Sequence, residues 1–322
     1  MTTATILAKN GSNKRLDKFL SDYLEESSRD SVKKMILAGM VFVNGEKAKP
    51  SLVLQGTEKI SYTINKLDKT LDHIEPEDID LDILFEDDDI IAINKSSGIT
   101  VHPGAGQKDG TLVNGLVFHF NKLSNLNGNF RPGIVHRLDK NTSGIMIIAK
   151  NNNAHAKLSS QFEKRLINKQ YFAVTWGSFN NQQGEINSPI SRSKKDPTSF
   201  IIDKTGKEAL TNYYSKQLGG YTSEVKFEPK TGRTHQIRVH AASLGNPIFG
   251  DEKYGGGARR SKGFLPEVSK QLTLSINKLG RHALHAKKIT FSHPINNKPI
   301  TISADLPKEL NQLINELNNL NA

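Results

Sequence analysis

Arg131-Pro132-Gly133-Ile134-Val135-His136-Arg137-Leu138-Asp139-Lys140-Asn141-Thr142-Ser143-Gly144 runs directly into Ile145-Met146-Ile147-Ile148-Ala149. A basic, glycine-punctuated turn is followed by an apolar run short enough for a buried strand. One carboxylate, Asp139, sits inside the turn, with Arg137 two residues before it and Lys140 directly after it. Opposite charge close by favours the ionised form of an acid. An ionised acid in such a turn suits a nucleophile or a base, not a proton donor. Taken alone, the same aspartate reads as a surface acid paired with its own neighbours.

Other segments change that balance. Asn94-Lys95 and Gly98-Ile99-Thr100-Val101-His102-Pro103-Gly104 precede the turn, and Lys169-Gln170-Tyr171-Phe172-Ala173 follows it. Further on come Thr231-Gly232-Arg233-Thr234-His235-Gln236-Ile237-Arg238-Val239-His240, Gly250-Asp251, Tyr254-Gly255, Arg281-His282-Ala283-Leu284-His285-Ala286 and His293-Pro294. With the His-Arg-Leu-Asp turn, these blocks resemble, in order, the ribosomal large-subunit pseudouridine synthases of the RluA type. The RluD-like subgroup, which carries an N-terminal S-four-type RNA-binding domain, is the nearest likeness. One departure is Lys95-Ser96-Ser97-Gly98, where the family usually has Lys-Pro-Xaa-Gly. Losing the proline loosens a turn without removing a chemical group.

The resemblance implies roles for individual residues. Asp139 is the catalytic carboxylate. Tyr171 stacks on the base, and Arg233 pairs with Asp139 and orients it. Arg137, with His136 beside it as a substrate-binding residue, fills the space left when the nucleotide leaves its stack. Ile237 and Leu284 line an apolar wall. The implied reaction breaks the bond from ribose to ring nitrogen, turns the base and rejoins it through carbon. No redox step occurs, so no cofactor is expected. No metal is expected either: His235 and His240 are five residues apart, and two ligands on one helical face need a separation of four.

Composition is compatible with that reading. The 322 residues carry 44 Lys and Arg against 33 Asp and Glu, a formal net charge of +11. Such a balance favours a polyanionic partner, nucleic acid or anionic membrane. No apolar run approaches the ~20 residues of a spanning helix, and the first ten residues have no signal-peptide pattern. Cysteine is absent, which excludes disulfide frameworks, thiolate catalysis and cysteine-held metals. A cytoplasmic, monomeric protein is expected.

Residues 14–65 read as a small α/β module. Leu16, Phe19, Leu20 and Tyr23-Leu24 share a helical face, and Ser28-Arg29-Asp30-Ser31 supplies caps for a second helix over 32–38. A strand at 40–43 leads into an Asn44-Gly45 hairpin turn. The layout resembles the S-four-type module, with Arg29, Lys33 and Lys34 assigned to phosphate contacts that position RNA without reading its sequence. Residues 66–79, charged and without apolar period, read as a linker, an ordered arm being the competing form. Residues 80–322 form the catalytic domain. Strands are expected at 79–85, 89–94, 144–149, 171–176, 212–214 and 221–227. A helix is expected at 152–165, with a short one capped by Thr234 and a core-packing one after Pro307. Gly255-Gly256-Gly257-Ala258-Arg259-Arg260-Ser261-Lys262 reads as a mobile basic loop.

The expected fold is α+β, a mixed and mostly antiparallel sheet flanked by helices, with the small α/β module in front. The expected activity is isomerisation of specific uridines in large-subunit (23S) ribosomal RNA, free or in a pre-ribosomal large subunit, through Asp139 and base flipping. Transfer RNA is the alternative substrate. A non-catalytic RNA-binding assembly factor is a second class, which intact Asp139, Tyr171 and Arg233 disfavour. A nucleosidase is a third, disfavoured because no second catalytic carboxylate is recognisable.

Overall fold

The computed structural model describes residues 2–24, 29–64, 74–104, 107–128 and 131–320. The first unit comprises β1 (Thr2–Leu7), α1 (Leu16–Tyr23), α2 (Arg29–Leu37), β2 (Val41–Val43), β3 (Glu46–Lys47) and β4 (Lys59–Ile64). Its sheet has the order β1-β4-β2-β3 with antiparallel neighbours. Leu16, Phe19 and Leu20 form the buried stripe of α1, and Val32 and Ile36 that of α2. Both pack on Val41, Val43, Ile60 and Tyr62 of the sheet. Asn44 and Gly45 both have positive φ, 50° and 85°, as a two-residue hairpin turn of this hand requires. Helix α2 begins at Arg29, and the cap expected from Ser28 lies outside the described residues.

The segment read as a linker falls partly outside the described residues, which resume at Ile74. Residues 74–79 are an ordered arm. Ile74 is buried in a core cluster, the Glu77 carboxylate accepts from Gly110 N at 2.9 Å, and Asn114 Nδ2 donates to Glu75 O at 2.8 Å.

The remaining strands are β5 (Ile83–Glu86), β6 (Ile90–Lys95), β7 (Ser143–Ala149), β8 (Asn168–Trp176), β9 (Gln183–Asn187), β10 (Ile190–Arg192), β11 (Phe200–Ile202), β12 (Leu210–Leu218), β13 (Thr222–Pro229), β14 (Leu284–Ser292) and β15 (Pro299–Ser303). The helices are α3 (Leu112–His119), α4 (Asn152–Glu163), α5 (Gln236–Ser243), α6 (Pro266–Leu279) and α7 (Lys308–Asn318). A nine-stranded sheet has the order β5-β6-β7-β14-β8-β13-β12-β9, with β15 paired to β14. Its neighbours are antiparallel except β7 and β14, which run parallel through His285–Ser143 and Ala286–Gly144. Strands β10 and β11 make a separate hairpin.

The run at 145–149 is continuously apolar because β7 is covered on both faces. Met146 and Ile148 join the cluster under α3, with Leu112 and Leu116. Ile145, Ile147 and Ala149 join the one under α4, with Ala154 and Leu158. A third core gathers Trp176, Phe227 and Phe249 with Leu310, Leu313 and Leu317 of α7, the tail expected to pack inward.

Two local expectations are corrected. The N-cap of α5 is His235, not Thr234, and it carries a left-handed backbone at φ 57°. The glycine-rich basic stretch is not a mobile loop: Ala258–Gly263 is a 3-10 turn with Ser261 fully buried. Trp176 Nε1 donates to Gly256 O at 2.7 Å and fixes its entry. The α+β architecture is the expected one.

Candidate active site

Asp139 stands in the turn that feeds β7, and that turn is held from beneath. Lys95, at the end of β6, is almost completely buried. Its Nζ donates to Ser96 O, Ile99 O and Lys140 O at 2.8, 3.0 and 3.1 Å. Burial pulls its pKa down to about 7, against the pull of the Asp139 charge. From the other side, Thr142 Oγ1 and His282 Nε2 are 2.8 Å apart, and Ser143 Oγ and His285 Nδ1 also 2.8 Å. Arg281 Nη2 donates to Ser143 Oγ and to Glu309. The loop is therefore a rigid ledge, and Gly144, at φ 113°, lets β7 approach the backbone of Ala286.

The guanidinium that meets Asp139 belongs to Arg238. Its Nη1 donates to Asp139 Oδ2 at 3.1 Å, while Nε and Nη2 grip Asp251 at 2.7 and 2.8 Å. Burial alone would depress this arginine; the hydrogen bonds and charges of Asp251 and Asp139 outweigh burial and raise its pKa. The pairing expected of Arg233 is corrected: Arg233 Nε donates to Glu208 O at 2.9 Å instead. The left-handed cap at His235 explains the exchange. It turns the chain between the two arginines, leaving Arg233 before the helix and placing Arg238 in its buried first turns. The signal was present in the sequence, since an arginine between Ile237 and Val239 on a buried helix needs a partner acid. His235, set aside above as a metal ligand, also faces the carboxylate: its Nε2 lies 3.8 Å from Asp139 Oδ2.

Around Asp139 opens a cleft of about 560 Å³ whose wall includes Arg137, His136, Tyr171, Arg233, Ile237 and Leu284. All seven catalytic-domain residues expected at the site thus line one space. Ile237 and Leu284 are buried and give it an apolar side. Burial, with the Asp139 charge second, pushes the Tyr171 hydroxyl above its ordinary pKa, so it stays protonated. Arg137 is exposed at the edge. His136 is tied to the scaffold: its Nε2 accepts from Ile147 N at 2.9 Å and its ring packs on Phe162. Burial takes its pKa down to about 3, so it is a neutral spacer with only Nδ1 left for a ligand. Lys169 also lines the cleft, its pKa lowered by burial to about 8.

In the first unit Lys33 and Lys34 are exposed on α2. Arg29 is shared with a buried acid: its Nη2 and that of Arg15 hold Asp17 at 3.2 and 3.0 Å. Asp87, Asp89 and His293 lie close enough together to suggest a cation site. Their atoms are committed elsewhere: His293 Nδ1 faces the Ile295 and Asn296 amides, which leaves Nε2 to donate to Asp87 Oδ2 at 2.9 Å. Among the described residues no helix is long and apolar enough to cross a membrane.

Comparison with known proteins gives two family matches, an RNA pseudouridylate synthase over residues 89–243 and an S4 domain over residues 14–60. The chain is 37% identical to an uncharacterized RNA pseudouridine synthase of Bacillus subtilis, across 95% of this chain and 94% of that one. It is 36% identical to ribosomal large subunit pseudouridine synthase D of Xanthomonas campestris, across 97% of this chain and 91% of the relative. Its fold resembles human RNA pseudouridylate synthase domain containing 1, with a TM-score of 0.53 at 23% identity, over 75% of this chain and 96% of that one.

Proposed function

The chain belongs to the RNA pseudouridylate synthase family, and from that premise we propose that it isomerises uridine in large-subunit ribosomal RNA, with Asp139 as the catalytic carboxylate. The observation that carries the proposal is Asp139 at the wall of a half-apolar cleft, with Oδ2 pinned by Arg238. The substrate class follows the large-subunit relatives and the net charge of +11.

The reaction breaks N1–C1′ of uridine, forms C5–C1′, removes the proton from C5 and returns one to N1. The base is free in between and must not escape. A carboxylate that attacks the base or C1′, or that takes a sugar proton, needs an ionised oxygen facing the nucleotide, and the Arg238 fork orients it. Tyr171, protonated and beside Asp139, supplies a flat surface for the base and a hydroxyl for a proton transfer. Ile237 and Leu284 keep water off the detached base. A uridine in a helix cannot reach the cleft without leaving its stack, at a cost of a few kcal/mol, and Arg137 at the rim takes its place. Exposed Lys33 and Lys34, with Arg29, give the N-terminal unit a phosphate-facing surface.

The test is carbodiimide mapping of pseudouridine in ribosomal and transfer RNA from cells lacking the protein, complemented with wild type or Asp139→Asn. Sites in large-subunit RNA that return only with wild type are the expected result. Sites confined to transfer RNA would replace the substrate, and an unchanged map would leave an assembly or binding role.

A further inference from the structure

His235 has three features that the reaction described above does not use. Its backbone is left-handed, φ 57° and ψ 16°, an uncommon conformation for a residue other than glycine. Strain of this kind persists where surrounding contacts enforce it, and it concentrates at functional sites. Its ring is largely buried, edge-on to Phe200 of the β10–β11 hairpin and to Tyr254. Each ring nitrogen also has a neighbour of defined chemistry: Nδ1 lies 2.7 Å from Tyr254 Oη, and Nε2 lies 3.8 Å from Asp139 Oδ2.

Tyr254 decides where the imidazole proton sits. Its oxygen already accepts the Phe200 amide at 3.0 Å, so its own proton is free to be given to His235 Nδ1. An imidazole that accepts at Nδ1 carries its hydrogen on Nε2 when neutral. That hydrogen faces the oxygen Arg238 already holds, and Oδ1 receives no hydrogen bond from the described residues. A separation of 3.8 Å is too long for a hydrogen bond, but catalytic contacts of this kind tighten when substrate fills the site.

We propose that His235 is a positioning residue for the catalytic carboxylate. Fixed by Tyr254 in its Nε2–H form, it presents that proton to Oδ2 of Asp139 and, with Arg238, leaves Oδ1 as the reacting oxygen. The proposal rests on the reading of Asp139 given above. The charges facing the ring are Asp139 from the turn, Arg238 on its own helix, Asp251 and Lys253 from the segment after α5, and His282 from the strand side. Burial leads these influences and holds His235 below its ordinary pKa, in the neutral state the arrangement needs.

The experiment measures tritium release from a 23S ribosomal RNA transcript labelled at uridine C5, since C5 loses its hydrogen as it joins the ribose. Wild type, His235→Ala, His235→Gln, Tyr254→Phe and Asp139→Asn are compared from pH 6 to 9, with RNA affinity and thermal unfolding measured alongside. The expected result is a kcat lowered about 10- to 100-fold in His235→Ala, the range of a hydrogen bond to a charged group, with KM and RNA affinity little changed. His235→Gln, which keeps a donor near the Nε2 position, recovers part of that loss. Tyr254→Phe removes the donor to Nδ1, so the neutral ring also adopts the form with no hydrogen on Nε2, and its kcat falls below that of wild type over the pH range in which the ring is neutral. Wild-type kcat in His235→Ala, or equal losses in His235→Ala and His235→Gln together with a lowered Tm, overturns the proposal. So does a Tyr254→Phe profile that superimposes on wild type. Turnover by Asp139→Asn, or none by wild type, overturns the reading of the site and the proposal with it. An inactive Asp139→Asn beside a fully active His235→Ala removes the role of His235 alone.

Discussion

Arg233 and Arg238 are five residues apart in sequence and differ completely in surroundings. Arg238 is buried and forks between Asp139 and Asp251, so lysine cannot replace it. Arg238→Lys is expected to lower kcat about 100-fold while Arg233→Lys lowers it less than about threefold, both read by tritium release. Arg238→Met leaves Asp251 buried without its partner and is expected to cost about 3–5 kcal/mol in urea unfolding. Lys95 gives a pH signature. Its folded pKa of about 7 lies below the ordinary 10.5, so between these values the unfolded chain holds a proton that the folded chain has released. Stability relative to Lys95→Met therefore rises with pH across that window, by at most about 1.4 kcal/mol per pH unit. Denaturant titrations of the two proteins at pH 6, 8 and 10 check the sign. At this scale the sequence was legible where a side chain's place follows from its own motif, as for Asp139 and Tyr171, which both line the cleft. It was not legible where two like residues competed, because the backbone turn at His235 chose between the arginines.

Strand β7 is the element on which the site depends, and Gly144 is its narrowest point. A side chain there would run into the backbone of Ala286, and φ 113° is strained for any residue with a Cβ. Gly144→Ala is expected to destabilise the protein by about 2–4 kcal/mol and to abolish turnover, measured by thermal unfolding and tritium release. Sequence periodicity located β7, α4 and α7 because each has one unmistakable pattern, continuous or helical. It missed α3, where Leu112-Val113-Asn114-Gly115-Leu116-Val117 mixes β-branched residues with a glycine. Packing explains that glycine: a Cβ at Gly115 would stand 3.0 Å from Ile79 Cβ, so the ordered arm needs the helix surface bare. The β10–β11 hairpin escaped for a different reason. Its strands are only three residues long and carry no period long enough to read.

For the whole molecule, the proposed separation of RNA binding from chemistry predicts how salt acts. Lys33 and Lys34 lie on α2, in the compact N-terminal unit, and the cleft around Asp139 is lined wholly by residues beyond 134. The double variant Lys33→Gln, Lys34→Gln is expected to weaken RNA binding and to reduce the slope of log affinity against log salt by about two. Its kcat at saturating RNA should stay at the wild-type value; filter binding at several salt concentrations and saturating turnover assays separate the effects.

The brace under the Asp139 turn also imposes an order on biosynthesis. Thr142 meets His282 across 140 residues, and Ser143 meets His285 across 142. The parallel junction of β7 with β14 closes over the same interval. A chain leaving the ribosome therefore exposes Asp139 long before the segment that seats it has been made. Contacts this distant in sequence form late, so a truncated or nascent chain holds Asp139 on an unfinished ledge. Until residues 282–286 have been made and have docked, that turn lacks both the side-chain contacts and the strand pairing that support it.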